Sequence, residues 1–168
     1  MTPPQTAADA YPRRWFALGI LLLAGFMNLV DVSIVNVALP RMQSGMGATS
    51  AQIEWVAAAY VLAFALGLLP FGRLSDRIGR KPMFIAGVAG FTLFSLACGV
   101  APTMNTLIVA RVLQGFASAA MMPQVLALAQ VMFPPKERAL AFSLFGLSAG
   151  LASVAGPLTG GLLIEGNL

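Results

Sequence analysis

Residues 72–81 read Gly-Arg-Leu-Ser-Asp-Arg-Ile-Gly-Arg-Lys and lie between two long apolar segments of the chain. This short stretch carries four of the ten Lys and Arg residues together with one carboxylate. A charged loop between two segments of membrane-spanning length is not expected in the core of a soluble protein. It is expected in a polytopic membrane protein, because basic loops stay on the cytoplasmic side of the bilayer. The stretch therefore predicts a chain that crosses a membrane several times.

The composition of the whole chain agrees with a membrane protein. Charged residues make up 10% of the 168 residues and hydrophobic residues 58%, whereas about a quarter of the residues of a soluble domain are charged. The net charge of +4 comes from separate short basic segments without interleaved aromatic residues, which argues against nucleic-acid binding. The chain has no histidine and one cysteine, Cys98, so an internal disulfide is impossible. We expect no catalytic residues, no metal site and no cofactor, because the commonest general base and metal ligand is missing.

Five segments are long and apolar enough to cross a bilayer, whose core needs about 20 helical residues. A polar tail, residues 1–14, precedes them. The predicted spans are residues 15–38, 53–71, 82–101, 105–133 and 139–164, and Pro or Gly residues mark the joints between them. The expected fold class is all-α, a polytopic membrane protein with five transmembrane helices.

The basic residues sort to one side of the predicted membrane. Arg13 and Arg14 precede the first span, and residues 72–81 join the second span to the third. Lys136 and Arg138 join the fourth span to the fifth, whereas the opposite side carries only an arginine at position 41. Because basic loops remain in the cytoplasm, this asymmetry predicts a cytoplasmic N-terminus.

Two ionisable residues lie inside predicted spans. Asp31 is about seven residues from the outer end of the first span and Arg111 about six from the outer end of the fourth, so at about 1.5 Å per residue both lie roughly 10 Å deep. A charge at the centre of a membrane helix costs at least about 3 kcal/mol. Two opposite charges at one depth therefore predict an ion pair, provided that the two spans are neighbours.

Polar residues at helical spacing extend this predicted pair into a stripe. Asn28 lies three residues before Asp31. On the fourth span, Arg111, Gln114 and Ser118 follow the i, i+3, i+7 spacing of one helix face. One interpretation is an ion or substrate pathway through the membrane. The other is a static pair that locks two helices together, and the sequence leaves both open.

The fifth predicted span is rich in small residues. Gly150, Gly156, Gly160 and Gly161 all lie in it, and Pro157 follows Gly156 directly. Small residues let helices approach closely in lipid, and proline removes one backbone hydrogen bond. The segment predicts either a bendable contact seam used in a conformational change or simple close packing of helices.

Four segments together resemble motifs of the major facilitator superfamily of transporters. Residues 72–81 resemble its cytoplasmic motif between the second and third helices, with Ser75 where alanine is usual. Residues 111–115, Arg-Val-Leu-Gln-Gly, resemble its fourth-helix motif. Residues 30–40 resemble the first-helix motif of the fourteen-span drug:proton antiporters, and residues 156–161 resemble a fifth-helix motif of antiporters.

The resemblance implies a fold and a function. The chain would form part of the N-terminal six-helix half of a twelve- or fourteen-helix transporter, as an N-terminal fragment of a longer protein. That transporter would export amphipathic or cationic small molecules in exchange for protons by alternating access, in a bacterial plasma membrane. Its partners would be the substrate, protons, the lipid bilayer and the remaining helices. Two alternatives stay open: an exporter of a metabolite, amino acid or sugar, and a truncated membrane protein that does not transport.

The resemblance also assigns roles by position. Asp31 would be the proton-accepting carboxylate and Arg111 its charge partner. The stretch 72–81 would be a cytoplasmic gating loop that latches the two halves of the transporter. The residues carried over for that role are Gly72, Asp76, Arg77, Gly79, Arg80 and Lys81.

Overall fold

The computed structural model describes residues 12–165, with the backbone alone described for residues 39–46 and 162–165. Of the predicted tail, residues 1–14, the first eleven residues lie outside the described residues. The described part folds into five helices, α1 (Arg14–Met46), α2 (Ser50–Ile78), α3 (Arg80–Gly99), α4 (Met104–Met132) and α5 (Pro135–Glu165). All five are long and apolar enough to cross a membrane. The predicted all-α class with five transmembrane helices is confirmed.

Two helices run further than the sequence predicted, and each of them contains a proline. The first span was predicted to end at residue 38, before Pro40, yet α1 continues to Met46. The second was predicted to end at residue 71, just before the charged stretch, yet α2 continues to Ile78. A proline removes one backbone hydrogen bond from a helix. Membrane helices tolerate that loss, because neighbouring groups and small local adjustments satisfy the freed carbonyl.

The stretch predicted as a loop, residues 72–81, is mostly helical. Gly72 to Ile78 form the last turns of α2, where the Ser75 hydroxyl donates to the Gly72 carbonyl oxygen at 2.7 Å. The helix ends at Gly79, whose φ of +96° is one that residues with a Cβ rarely adopt. The next helix, α3, begins directly at Arg80. The prediction of a loop over the whole stretch was wrong, because charged side chains on the last turns of a helix already reach water.

The centre of the bundle is α4. Half of the residues in its apolar, membrane-spanning segment are buried, whereas the corresponding share is 17–28% in the other four helices. α2 and α3 pack along α4, while α1 packs mainly on α5 and also contacts α4. Glycines allow these close approaches: a Cβ added at Gly87 of α3 would lie 2.8 Å from the Met121 backbone nitrogen of α4. As a result, polar side chains on α4 can reach α1, α2 and α3 at the same depth.

Candidate functional site

A buried ion pair joins α1 to α4. Arg111 Nη1 donates to Asp31 Oδ2 at 2.7 Å. The arginine side chain is 2% exposed and the aspartate side chain 14% exposed, so the aspartate is the more accessible partner. The two charges that the sequence placed at one depth are therefore in direct contact.

Gln114 completes the coordination of the carboxylate. Its Nε2 donates to Asp31 Oδ1 at 2.8 Å, and its Oε1 accepts from Arg111 Nη1 at 2.7 Å. Gln114 is fully buried, and the Cys98 thiol of α3 donates to the same Oε1 at 3.6 Å. Both carboxylate oxygens thus have a donor, and the glutamine amide is held in one orientation by partners on three helices.

A second polar cluster lies one helical turn from the ion pair, and its members come from α1, α2 and α4. Asn28 Nδ2 donates to the Tyr60 hydroxyl at 2.8 Å and to Ser118 Oγ at 2.6 Å. The Tyr60 hydroxyl donates to Ser118 Oγ at 2.9 Å. All three side chains are buried, so these hydrogen bonds replace those that the polar groups would make to water. The predicted polar stripe is therefore two adjoining clusters, one charged and one neutral.

Tyr60 links the two clusters, and the sequence analysis did not identify it. The Arg111 guanidinium carbon lies 4.3 Å from the centre of the Tyr60 ring, within the range of a cation–π interaction. Arg111 Nε also donates to the Val56 carbonyl oxygen of α2 at 3.3 Å. A tyrosine in an apolar segment is usually taken as lipid-facing, although a hydroxyl inside a membrane needs a partner. That need is the signal that could have identified it.

The predicted gating residues lie at one end of the bundle, away from the ion pair. Asp76, Arg77 and Lys81 are exposed there, and Arg80 Nη1 donates to the Ala127 carbonyl oxygen of α4 at 3.3 Å. Gly72 and Gly79 bound the last turns of α2 beside them. In the described part of the chain these residues form a charged surface at the ends of α2 and α3.

The same end carries an ion pair between the starts of α1 and α5. Arg14 Nε and Nη2 donate to the two carboxylate oxygens of Glu137 at 2.9 Å and 3.0 Å. This bidentate contact places the start of α1, with Arg14, beside the start of α5, with Glu137. The basic residues of these two segments therefore lie at the same end of the bundle, in agreement with the predicted sorting of charges.

The predicted seam on α5 is a contact with α1 at only two of its five residues. A Cβ added at Gly156 would overlap Ser33, and one added at Gly160 would lie 3.4 Å from Val37. At Gly150 and Gly161 nothing lies within 4 Å of an added Cβ, and Pro157 is exposed. Close packing of α5 on α1 therefore accounts for the glycines spaced four apart, at positions 156 and 160.

Comparison with known proteins gives one family and one fold. Residues 21–167 match the family model described as Major Facilitator Superfamily. Over 99% of its length the chain is 46% identical to the "Probable actinorhodin transporter" of Streptomyces coelicolor, and over 92% it is 43% identical to the puromycin resistance protein pur8 of Streptomyces alboniger. It spans 29% and 31% of the lengths of these two curated relatives.

A solved structure shares the arrangement of the helices. The crystal structure of a bacterial homolog to the human lysosomal transporter Spinster, in an inward-facing and occupied conformation, superposes with a TM-score of 0.80 at 25% identity. The match covers 92% of this chain and 33% of that one.

Proposed function

This chain belongs to the Major Facilitator Superfamily, a family of membrane transporters and not of enzymes, and from that premise we propose that the full gene product carrying it is a proton-coupled exporter of amphipathic or cationic small molecules. The carrying observation is the buried ion pair of Asp31 and Arg111 between α1 and α4. The relatives named for an antibiotic transporter and for puromycin resistance support an antibiotic-like substrate. The N-terminus is proposed to be cytoplasmic, on the side of the basic residues.

The carboxylate of Asp31 is proposed to exchange the proton. In the ionised state each of its oxygens accepts one hydrogen bond, from Arg111 and from Gln114. A proton on Oδ1 would face the amide N–H of Gln114, so the amide has to turn or withdraw. The amide oxygen is already held by Arg111 Nη1, and protonation therefore disturbs both bonds that join Asp31 to α4. This loosening is the step that biases the protein toward the conformation that releases the substrate.

The packing of the helices supports a role for this ion pair in alternating access. α1 packs mainly on α5, whereas α2 and α3 pack on α4. The ion pair is thus a link between two helix groups, and a change in its charge acts at their junction. In the full protein the half that contains these helices is proposed to rock against the other half around a central site.

The function is tested by substrate-driven proton movement in inverted membrane vesicles that contain the full gene product. After respiration has acidified the vesicle interior, addition of a cationic dye or a neutral antibiotic is expected to release protons, because each substrate entering exchanges for protons leaving. The measurement is the recovery of a pH-sensitive fluorescence signal, with vesicles that lack the protein as the control. A response to amino acids or sugars alone supports the metabolite exporter instead. Substrate uptake that persists when an ionophore has removed the pH gradient and the potential contradicts proton coupling.

The exposed carboxylate Asp76 is expected to control turnover and not binding. Asp76→Ala should slow transport several-fold while leaving the substrate dissociation constant unchanged, because Asp76 lies on the end surface of α2, away from the ion pair. The measurement compares transport rate with equilibrium dye binding in purified protein. The matched control is Glu54→Ala, which removes an exposed carboxylate from the opposite end of the same helix. Weakened binding at normal turnover would refute a gating role.

A further inference from the structure

We propose that Tyr60 is a positioning residue for proton coupling, whose ring holds the Arg111 guanidinium while Asp31 carries a proton. The inference rests on the proposed function. It concerns a residue that is outside the motifs recognised in the sequence and that meets both polar clusters of the site.

The Tyr60 ring is fixed in place from several directions. Its hydroxyl is bonded to Asn28 and Ser118, and its ring stacks on that of Phe64 at 6.4 Å between centroids. A Cβ added at Gly115 of α4 would overlap the Tyr60 carbonyl oxygen, so the backbone of α2 lies directly against α4 here. Only 5% of the tyrosine surface is exposed, and these contacts hold the ring face in reach of Arg111.

Arg111 needs such a partner because its charge cannot be removed. A guanidinium stays protonated in proteins, and this one is almost completely buried. Once Asp31 is neutral, the remaining contacts of Arg111 are the oxygens of Gln114 and Val56 and the ring of Tyr60. The ring face carries a negative partial charge that attracts a desolvated cation. The ring therefore lowers the free-energy cost of neutralising Asp31.

Few other charged or titratable groups face this pair. From α3 the nearest is the thiol of Cys98, which reaches Gln114. On α2, Glu54 is exposed, and on α4 Arg111 is itself the only charged residue. The part of α5 from residue 139 to residue 161 has no ionisable side chain, and α1 between residues 15 and 38 has none besides Asp31. Within the described residues, the ring is thus one of three contacts of Arg111, beside the oxygens of Gln114 and Val56, that can compensate for the lost carboxylate charge.

The test is the pH dependence of dye binding to the purified full gene product. Protons and a cationic dye compete for the site in the proposed antiport, so fluorescence polarisation of the dye should fall as the pH is lowered. Tyr60→Leu should move the midpoint of this fall to lower pH by about one pH unit, because neutral Asp31 becomes costlier. Tyr60→Phe keeps the ring and should stay close to the wild-type midpoint. Phe71→Leu removes another aromatic ring of α2, one that packs on Phe116 and not on Tyr60, and should leave the midpoint where it is.

A further variant separates charge from shape. Trifluorophenylalanine at position 60, introduced by nonsense suppression, keeps the volume of phenylalanine and weakens the negative face of the ring. Its midpoint should be more acidic than that of Tyr60→Phe, and this comparison holds even if Tyr60→Leu fails to fold. Equal midpoints for phenylalanine and its fluorinated form would overturn the role of the ring. Dye binding by the wild-type protein that does not depend on pH would overturn the proton-coupled function itself and, with it, this inference.

Discussion

Asp31→Asn is expected to reduce proton-coupled efflux to the level of membranes without the protein. Asparagine has the shape of aspartate but cannot exchange a proton, so substrate movement loses its link to the proton gradient. The described parts of the membrane spans contain no other carboxylate in contact with Arg111, and no neighbouring group is placed to take over. The loss should therefore be complete and not partial.

The same variant is expected to remain folded in the membrane, although with lower stability. Breaking a buried ion pair by removing one partner can cost about 3–5 kcal/mol. Here Arg111 keeps Gln114 Oε1, the Val56 carbonyl and the Tyr60 ring, so its charge is still partly compensated. An asparagine carbonyl can also accept from one of the two former donors.

The measurement is dye efflux from energised cells, together with substrate-driven proton release in vesicles. The amount of protein in the membrane is matched by immunoblotting, and a monodisperse gel-filtration peak establishes the fold. Glu54→Gln is the control, because it removes an exposed carboxylate from the described part of the chain without touching the ion pair. If Asp31→Asn exports dye at the wild-type rate with proton release intact, another group carries the proton.

The charged half of the site could be predicted from the sequence because charges in a membrane are expensive. Asp31 and Arg111 stand out from apolar segments, and each needs a partner to offset several kcal/mol. Their similar distances from predicted span ends predicted a pair on the condition that the two spans are neighbours, although α1 runs on to Met46. Gln114 followed from the helical spacing of the same face.

The neutral half could not be predicted in the same way. Placing Tyr60 at a membrane surface costs little, so its position in an apolar segment does not reveal a buried hydroxyl. Its role depends on how closely α2 approaches α4, and that distance is set by tertiary packing at Gly115 and Gly67. Glycine in a sequence shows that close approach is possible, but not which helix approaches. For the same reason Gly156 and Gly160 of α5 contact α1, while Gly150 and Gly161 do not.

The second large effect is expected at one of these glycines. Gly115→Ala should strongly lower the stability of the membrane domain, because its Cβ would overlap the Tyr60 carbonyl oxygen and lie 2.9 Å from Ala63 Cβ and 3.2 Å from the Phe64 nitrogen. Two of these three atoms belong to the backbone of α2, which cannot turn aside as a side chain can. Overpacking of a well-packed contact costs about 1–3 kcal/mol, and a clash with backbone should fall at the upper end of that range.

The damage should also reach the site, because Gly115 lies between the two polar clusters on α4. To make room for a methyl group, α2 has to move away from α4, which lengthens the contacts of Arg111 with Val56 and Tyr60. Thermal unfolding followed by fluorescence-detected gel filtration measures the loss, and dye binding of the surviving protein measures the effect on the site. Gly146→Ala is the matched control: nothing lies within 4 Å of its added Cβ, and alanine is the better helix former, so the melting temperature should stay or rise. Equal melting temperatures for the two variants would show that α2 and α4 can separate without cost, and would remove the basis for a ring of Tyr60 fixed against Arg111.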